Sequence, residues 1–156
     1  METPTTMAVR FLREQGVTYE GHVFRWEKKG AKASADVLGV DPAIVLKTLI
    51  FETEKKAPLV VLMDGTHEVS TKSMARLLGV KLVVPCDPKR AEQLTGYQVG
   101  GISPFGQRTA MPFYMQQTAL DVPLVYVNGG KRGFLVSLPP GEIQRLLAAT
   151  LVDVAV

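Results

Sequence analysis

The sequence predicts an α+β fold built on a mixed β-sheet. Segments rich in β-branched and aromatic residues alternate with short amphipathic stretches that end in glycine. Two strand candidates, "LKTLIFET" and "PLVVLMD", are separated by the charged turn "EKKA", which predicts a hairpin. A mixture of strands and short helices with at least one hairpin favours the α+β class. The chain has 156 residues, which suits one domain with one core.

The residues before the hairpin predict two helices, one extended segment and a helical turn. Thr5 or Thr6 can cap the first helix, and Gly16 is placed to end it. The segment "VTYEGHVFRW" has the β-branched and aromatic residues typical of an extended stretch. "SADVLG" predicts a short helix from Ser34 to a stop at Gly39, and "DP" after it predicts another helical turn.

The residues after the hairpin alternate between helices and strands. "STKSMARLLG" predicts an amphipathic helix that begins at Ser70 or Thr71 and stops at Gly79. "KLVVP" predicts a short buried strand, and "DP" at 87–88 begins a helix that ends near Gly96. "PFYMQQ", "PLVYVN" and "GFLVSL" then predict strands, and "GEIQRLLAAT" predicts a closing helix.

Composition limits the classes of protein to consider. The net charge of +3 is weak evidence for a polyanionic partner. No apolar run has the length of a membrane span, and the N-terminus lacks the pattern of a secretory signal. The single cysteine, Cys86, excludes an internal disulfide. These features predict a cytoplasmic protein.

A glycine-rich loop, "TGYQVGGISPFG" at residues 95–106, combines four glycines with mostly apolar residues. Consecutive glycines at 100 and 101 let backbone N–H groups approach a substrate and bond an oxyanion or a carbonyl. The alternative is a structural turn filled by Tyr97, Ile102 and Phe105. Composition alone leaves both interpretations open.

Four cations stand in unusual settings. Lys47 lies within "IVLKTLIF", where its ammonium must either reach solvent from a sheet edge or face an anion in a cleft. Arg108 follows the glycine-rich loop, and Lys131 and Arg132 lie in "GGKRG" at residues 129–133, here named the basic turn. These three could meet phosphates, or they could belong to solvated loops.

Common catalytic motifs are missing from the sequence. His22 and His67 are isolated, and Cys86 has no CxxC partner, so we predict no metal site. Cys86 could be a nucleophile or an inert buried thiol. Ser103 is not in a GxSxG elbow, and no phosphate-binding glycine motif occurs. We therefore predict no cofactor.

Three segments in order, "VLKTLIF", "LTGYQVGGISPFG" and "VYVNGGKRG", resemble the YbaK family of aminoacyl-tRNA deacylases. This family includes the editing domain of bacterial prolyl-tRNA synthetases. The resemblance covers nearly the whole chain and implies one α+β editing domain over residues 1–156, with a large curved mixed sheet flanked by short helices. It implies hydrolysis of amino acids wrongly attached to tRNA, chiefly tRNA for proline.

The resemblance also implies roles for particular residues, by position in this sequence. The implied catalytic groups are Lys47, Gly100 and Gly101. The implied substrate pocket holds Phe24, Tyr97, Ile102, Ser103 and Asn128, and the implied tRNA-binding residues are Arg108, Lys131 and Arg132. Three positions depart from the common pattern: Phe24 replaces a tyrosine, Asn128 a serine and Leu135 an acidic residue.

The expected reaction is deacylation of Cys-tRNA(Pro) without a metal or a protein nucleophile. Lys47 would act by its charge or as a neutral base, and the substrate's own thiol would attack the ester. The alternatives are an Ala-tRNA(Pro) deacylase, a tRNA- or synthetase-associated binding module without catalysis, and an esterase that uses Ser103. Prolyl-tRNA synthetase is an expected partner.

Overall fold

The computed structural model describes residues 3–27 and 30–156. These residues form helices and strands that are mixed along the chain, so the predicted α+β fold class is confirmed. The helices are α1 (Met7–Glu14), α2 (Ala31–Leu38), α3 (Thr71–Leu78), α4 (Pro88–Thr95) and α5 (Pro140–Leu147). The strands are β1 (Glu20–Val23), β2 (Leu46–Thr53), β3 (Pro58–Asp64), β4 (Val83–Pro85), β5 (Phe113–Gln116), β6 (Val125–Lys131), β7 (Phe134–Leu138) and β8 (Thr150–Val152). Pro42–Ile44 and Gln117–Asp121 form short 3-10 helices.

Local capping explains where the helices begin and end. The hydroxyl oxygens of Thr6 and Ser70 accept hydrogen bonds from the first turns of α1 and α3. The glycines after α2, α3 and α4 adopt the left-handed conformation that terminates a helix. Helix α2 begins at Ala31, three residues before the predicted Ser34.

The chain after α5 differs from the prediction. The closing helix was expected to continue to Thr150, but it ends at Leu147 because Ala148 adopts a left-handed conformation with φ of 49°. Thr150–Val152 then pairs in parallel with β5 as β8. A helical pattern of side chains cannot reveal this strand, because its partner lies more than 30 residues earlier in the chain.

The strands form two sheets rather than one continuous hydrogen-bonded sheet. A five-stranded mixed sheet has the order β4-β2-β3-β5-β8, and a three-stranded antiparallel sheet has the order β1-β7-β6. The predicted hairpin is confirmed as β2–β3. Among the described residues, one parallel bridge, between Val45 and Tyr126, links the two sheets, which is too few backbone hydrogen bonds to merge them.

Strand β2 has one side that is only partly paired. Strand β3 pairs with β2 from Leu46 to Glu52, whereas β4 pairs only with Phe51, Glu52 and Thr53. The first half of β2 therefore has an open edge, which faces the three-stranded sheet and the glycine-rich loop across a cavity.

The core lies on both faces of the larger sheet. Leu46 and Ile50 pack on one face with α1, and Phe51 packs on the other face with Met74 of α3. Alternate side chains of a strand point to opposite faces, so β2 contributes to both clusters. In the described ranges, every helix is too short or too polar to cross a membrane.

Candidate active site

A cavity of about 610 Å³ lies at the open edge of β2. This volume is within the range of small-molecule sites. Most of its wall is apolar, with polar side chains at a few points. Lining residues include Leu46, Lys47, Thr48, Ile50, Glu68, Val99, Gly100, Ile102, Asn128 and Leu135. The structure thus brings Lys47, Gly100, Ile102 and Asn128, all predicted as site residues, to one cavity.

The ammonium of Lys47 is held by two oxygen acceptors. Nζ donates a hydrogen bond to the His67 carbonyl oxygen at 2.5 Å and lies 3.4 Å from Oε1 of Glu68. The Lys47 side chain is only 18% exposed, whereas that of Glu68 is 81% exposed. A carbonyl and a carboxylate both stabilise a charged donor, so the contacts of Lys47 suit an ammonium.

A turn built around Asp64 fixes the carbonyl that Lys47 contacts. The Asp64 carboxylate accepts hydrogen bonds from the backbone N–H and the hydroxyl of Thr66, and both of its oxygens lie 3.0 Å from Nδ1 of His67. Burial raises the pKa of Asp64, but these hydrogen bonds outweigh it and leave the pKa below its ordinary value. The ionised carboxylate therefore stabilises the turn that carries His67.

The two central glycines of the glycine-rich loop have different surroundings. The Gly101 N–H donates to the Gln98 carbonyl at 2.8 Å, and a Cβ atom at Gly101 would lie 2.8 Å from the Arg132 backbone nitrogen. Gly100 has a φ of 91° and lines the cavity. Within residues 3–27 and 30–156 the Gly100 N–H has no hydrogen-bond acceptor. Gly101 is thus required for close backbone packing, and Gly100 carries the available amide.

Asn128 joins the glycine-rich loop to the basic turn. Its Nδ2 donates to the Gly100 carbonyl at 3.1 Å, and its Oδ1 accepts from the N–H groups of Gly130 at 2.7 Å and Lys131 at 3.2 Å. These bonds accompany a register shift of β6 between Asn128 and Lys131. One amide side chain therefore sets the relative position of two loops.

The three predicted RNA-binding cations lie in different settings. Lys131 is exposed on the basic turn. Arg132 is half-buried, and its Nε donates to the Val99 carbonyl at 2.8 Å. Arg108 is exposed beside Gly96 and Tyr97, in a second depression of about 290 Å³. Lys131 and Arg132 adjoin the cavity through the turn that Asn128 holds, whereas Arg108 does not line it.

Comparison with known proteins assigns the family. The family described as aminoacyl-tRNA editing domain matches residues 27–146 of this chain. The chain belongs to the aminoacyl-tRNA editing domain family. The resemblance that the sequence motifs indicated is confirmed, and so is the prediction of an aminoacyl-tRNA deacylase.

Two bacterial relatives show how editing domains of this family occur in other proteins. A protein of Enterococcus faecalis, named as a candidate Cys-tRNA(Pro)/Cys-tRNA(Cys) deacylase EbsC, is 32% identical over 143 residues, which cover 90% of this chain and 87% of that protein. A proline–tRNA ligase of Thermodesulfovibrio yellowstonii is 28% identical over 131 residues. That match covers 84% of this chain but 21% of the ligase.

Solved structures share the fold. A crystal structure of a candidate trans-editing enzyme for prolyl-tRNA synthetase has a TM-score of 0.87 and 25% identity, and the match covers 99% of each chain. A protein described as hypothetical has a TM-score of 0.89 at 24% identity, covering 96% of this chain and 99% of that one. The second similarity shows the fold alone.

Three residues predicted for the substrate pocket lie outside the cavity lining of the editing domain. Tyr97 is buried and donates its hydroxyl hydrogen to the Phe105 carbonyl at 2.5 Å, and burial raises the pKa of Tyr97 to about 12. Ser103 is fully buried, and its Oγ accepts from the Phe105 N–H. Phe24 packs in a separate cluster with Leu135. Tyr97 and Ser103 therefore stabilise the glycine-rich loop from its buried side. Ser103 is not placed to attack a substrate in this cavity.

The editing domain also has polar cavity residues that sequence reasoning missed. The Thr48 hydroxyl is buried and has no hydrogen-bond partner among the described residues, and Glu68 pairs with Lys47. The sequence signal that could have indicated Thr48 is its position directly after Lys47. Glu68 lies 21 residues from Lys47 in the sequence, so only folding brings the two together.

Cys86 lines the cavity, but its surroundings disfavour the thiolate. Burial raises the pKa of the Cys86 thiol, and the nearby Glu52 carboxylate raises it further. A thiol that remains protonated is a poor nucleophile. In the part of the chain that the structure describes, no three His, Cys, Asp or Glu side chains are grouped to hold a metal ion.

Proposed function

We propose that this editing domain removes cysteine from mischarged tRNA for proline, with Lys47 and the Gly100 amide as its catalytic groups. The observation that carries the proposal is that both groups line one largely apolar cavity. The name of the Enterococcus faecalis relative supports cysteine as the amino acid. A cytoplasmic location and action beside prolyl-tRNA synthetase are parts of the same proposal.

Lys47 acts by its charge. The His67 carbonyl and the Glu68 carboxylate hold its ammonium at the cavity wall. When a substrate enters, the exposed Glu68 side chain can move aside at little cost, since exposed ion pairs contribute only about 0–1 kcal/mol. The ammonium then contacts the ester or the adjoining ribose and stabilises the negative charge that develops there.

The Gly100 N–H stabilises the oxyanion. Arg132 holds the Val99 carbonyl of the peptide unit that carries this N–H, and Asn128 holds the next peptide unit through the Gly100 carbonyl. A fixed backbone donor is effective because it needs no reorganisation during the reaction, and the loss of one such donor typically costs about 3 kcal/mol of barrier. Gly101 holds the loop against the basic turn rather than acting as a second donor.

The nucleophile comes from the substrate. The cysteine thiol of the aminoacyl ester attacks its own carbonyl carbon, so that a sulfur–carbon bond forms. The bond from that carbon to the ribose oxygen breaks, and the thiol proton ends on that oxygen. The products are free tRNA and a cyclic thioester, which water later opens. The buried Ser103 and the protonated Cys86 are both consistent with a reaction that uses no protein nucleophile.

The first test compares substrates. The purified chain is incubated with Cys-, Ser-, Ala- and Pro-charged tRNA(Pro) and with free amino-acid esters. We expect Cys-tRNA to be deacylated much faster than Ser-tRNA, because a hydroxyl is a weaker nucleophile than a thiol. Equal rates for Cys- and Ser-tRNA would exclude thiol attack. Preference for Ala-tRNA would indicate an alanine deacylase, and no loss of any species would indicate a binding module.

The second test compares variants of Lys47. Lys47→Met keeps the aliphatic stem and removes the charge, so we expect a loss of about 10²-fold or more in rate. Lys47→Arg keeps a charge that cannot act as a base, and we expect it to retain part of the activity. Lys81→Ala, which removes an exposed cation outside the cavity, is the control. Near-normal turnover by folded Lys47→Met would contradict the proposal.

A further inference from the structure

The chain has one tryptophan, and it contacts both the glycine-rich loop and the basic turn. Trp26 follows β1 and is half-buried. A Cβ atom on Gly100 would lie 3.3 Å from Cζ2 of Trp26, and a Cβ atom on Gly133 would lie 3.4 Å from Cβ of Trp26. The indole therefore lies beside Gly100, which lines the cavity.

Arg132 stacks on this indole. Its Cζ atom lies 4.5 Å from the centre of the Trp26 ring, which is the geometry of a cation–π pair. A hydrogen bond from Arg132 Nε, at the edge of the guanidinium, to the Val99 carbonyl also orients this group. Because two contacts already orient Arg132, the stacked pair is ordered before any ligand binds.

The charged residues next to Trp26 and Arg132 in the sequence favour a polyanion. Lys131 is exposed on the basic turn, and the Arg25 side chain is 89% exposed. Glu27 opposes them, but its carboxylate is 69% exposed and only loosely paired with Arg25 at 3.8 Å. Among the residues that the structure describes here, three cations outnumber one carboxylate, and this positive balance attracts a phosphate backbone.

The geometry points to a base-stacking platform, formed by Trp26 and Arg132, that holds the terminal unpaired nucleotide of the RNA acceptor end. This inference rests on the proposed function, because an ester carbonyl beside Gly100 leaves its ribose at the mouth of the cavity. The base attached to that ribose then lies next to Trp26. Aromatic and guanidinium faces are common supports for single-stranded bases, since every base has a π-face.

The first experiment uses the wild-type chain and the fluorescence of its single tryptophan. An unacylated acceptor-stem RNA hairpin ending in CCA is titrated against the same hairpin with an abasic terminal nucleotide. We expect the intact hairpin to change the tryptophan emission and to bind about tenfold more tightly than the abasic one. Equal affinities, or an emission that does not respond to the intact hairpin, would overturn the platform.

The second experiment uses variants and a labelled hairpin, with binding read by fluorescence anisotropy. We expect Trp26→Leu to weaken binding of the intact hairpin about tenfold and to leave binding of the abasic hairpin unchanged, while Trp26→Phe keeps most of the affinity. Arg13→Ala, an exposed cation on α1, is the control. Circular dichroism melts check folding, and if Trp26→Leu is unfolded, the wild-type comparison of hairpins decides. An equal loss for both hairpins would contradict base stacking.

Deacylation assays separate this inference from the proposed function. If RNA binding depends on the terminal base but no mischarged tRNA is deacylated, the proposed function fails and the platform stands. If Trp26→Leu deacylates Cys-tRNA with an unchanged KM, the editing activity stands and the platform is wrong.

Discussion

Replacing Asn128 by aspartate tests whether this side chain holds the glycine-rich loop. The change keeps an oxygen for the N–H groups of Gly130 and Lys131, but it replaces the Nδ2 donor with an oxygen that faces the Gly100 carbonyl. One hydrogen bond of about 1 kcal/mol is lost, and two oxygens then repel each other. We therefore expect the loop to shift and the rate constant of deacylation to fall about tenfold, which corresponds to 1.4 kcal/mol of barrier.

Two further variants separate stability from catalysis. Asn128→Ala removes all three hydrogen bonds, which together contribute at most roughly 1.5–4.5 kcal/mol because each is worth about 0.5–1.5 kcal/mol, and less where water reaches the half-buried site. Asn128→Ser can keep a bond to the turn but is too short to reach Gly100. We expect the alanine variant to lose stability and activity, and the aspartate and serine variants to lose mainly activity.

The measurements are single-turnover deacylation of saturating Cys-tRNA and urea denaturation of each variant. Saturation is needed because a new carboxylate beside Lys131 also weakens RNA binding. If folded Asn128→Asp reacts within twofold of the wild-type rate, Asn128 does not position Gly100. Losses of rate that simply follow losses of stability would assign Asn128 a structural role only.

Three other predictions follow from the site. Thr48→Val removes the unpaired buried hydroxyl, and we expect about a fivefold lower kcat/KM for Cys-tRNA with unchanged stability; a wild-type kcat/KM would show that Thr48 does not contact the substrate. Cys86→Ala should retain deacylation, and an inactive folded variant would indicate a protein nucleophile. Asp64→Asn should be less stable at pH 7, because the depressed pKa of Asp64 stabilises the fold above its unfolded pKa of about 3.9. That difference, measured by urea midpoints, should shrink as the pH falls from 4 toward 2, and a difference constant with pH would contradict the assignment.

Local signals in the sequence predicted most of the elements. The caps at Thr6, Ser70 and Asp87 act over two or three residues, so their patterns identify helix starts without any tertiary contact. The hairpin of β2 and β3 could also be predicted from the sequence, because a four-residue turn joins its strands. Strand β8 was missed because it exists only through pairing with β5.

The features of the site also divide into those that local sequence predicts and those that depend on tertiary contacts. The sequence by itself determined that Lys47 lies in an apolar strand and that a glycine-rich loop occurs, since both are properties of neighbouring residues. Only the tertiary structure decided that Gly100 lines the cavity while Gly101 packs against Arg132, and that Glu68 meets Lys47. Residues of the same type, such as Gly100 and Gly101, have different roles because distant segments of the chain enclose them differently. Their burial and their hydrogen-bond partners depend on those segments rather than on their neighbours in the sequence.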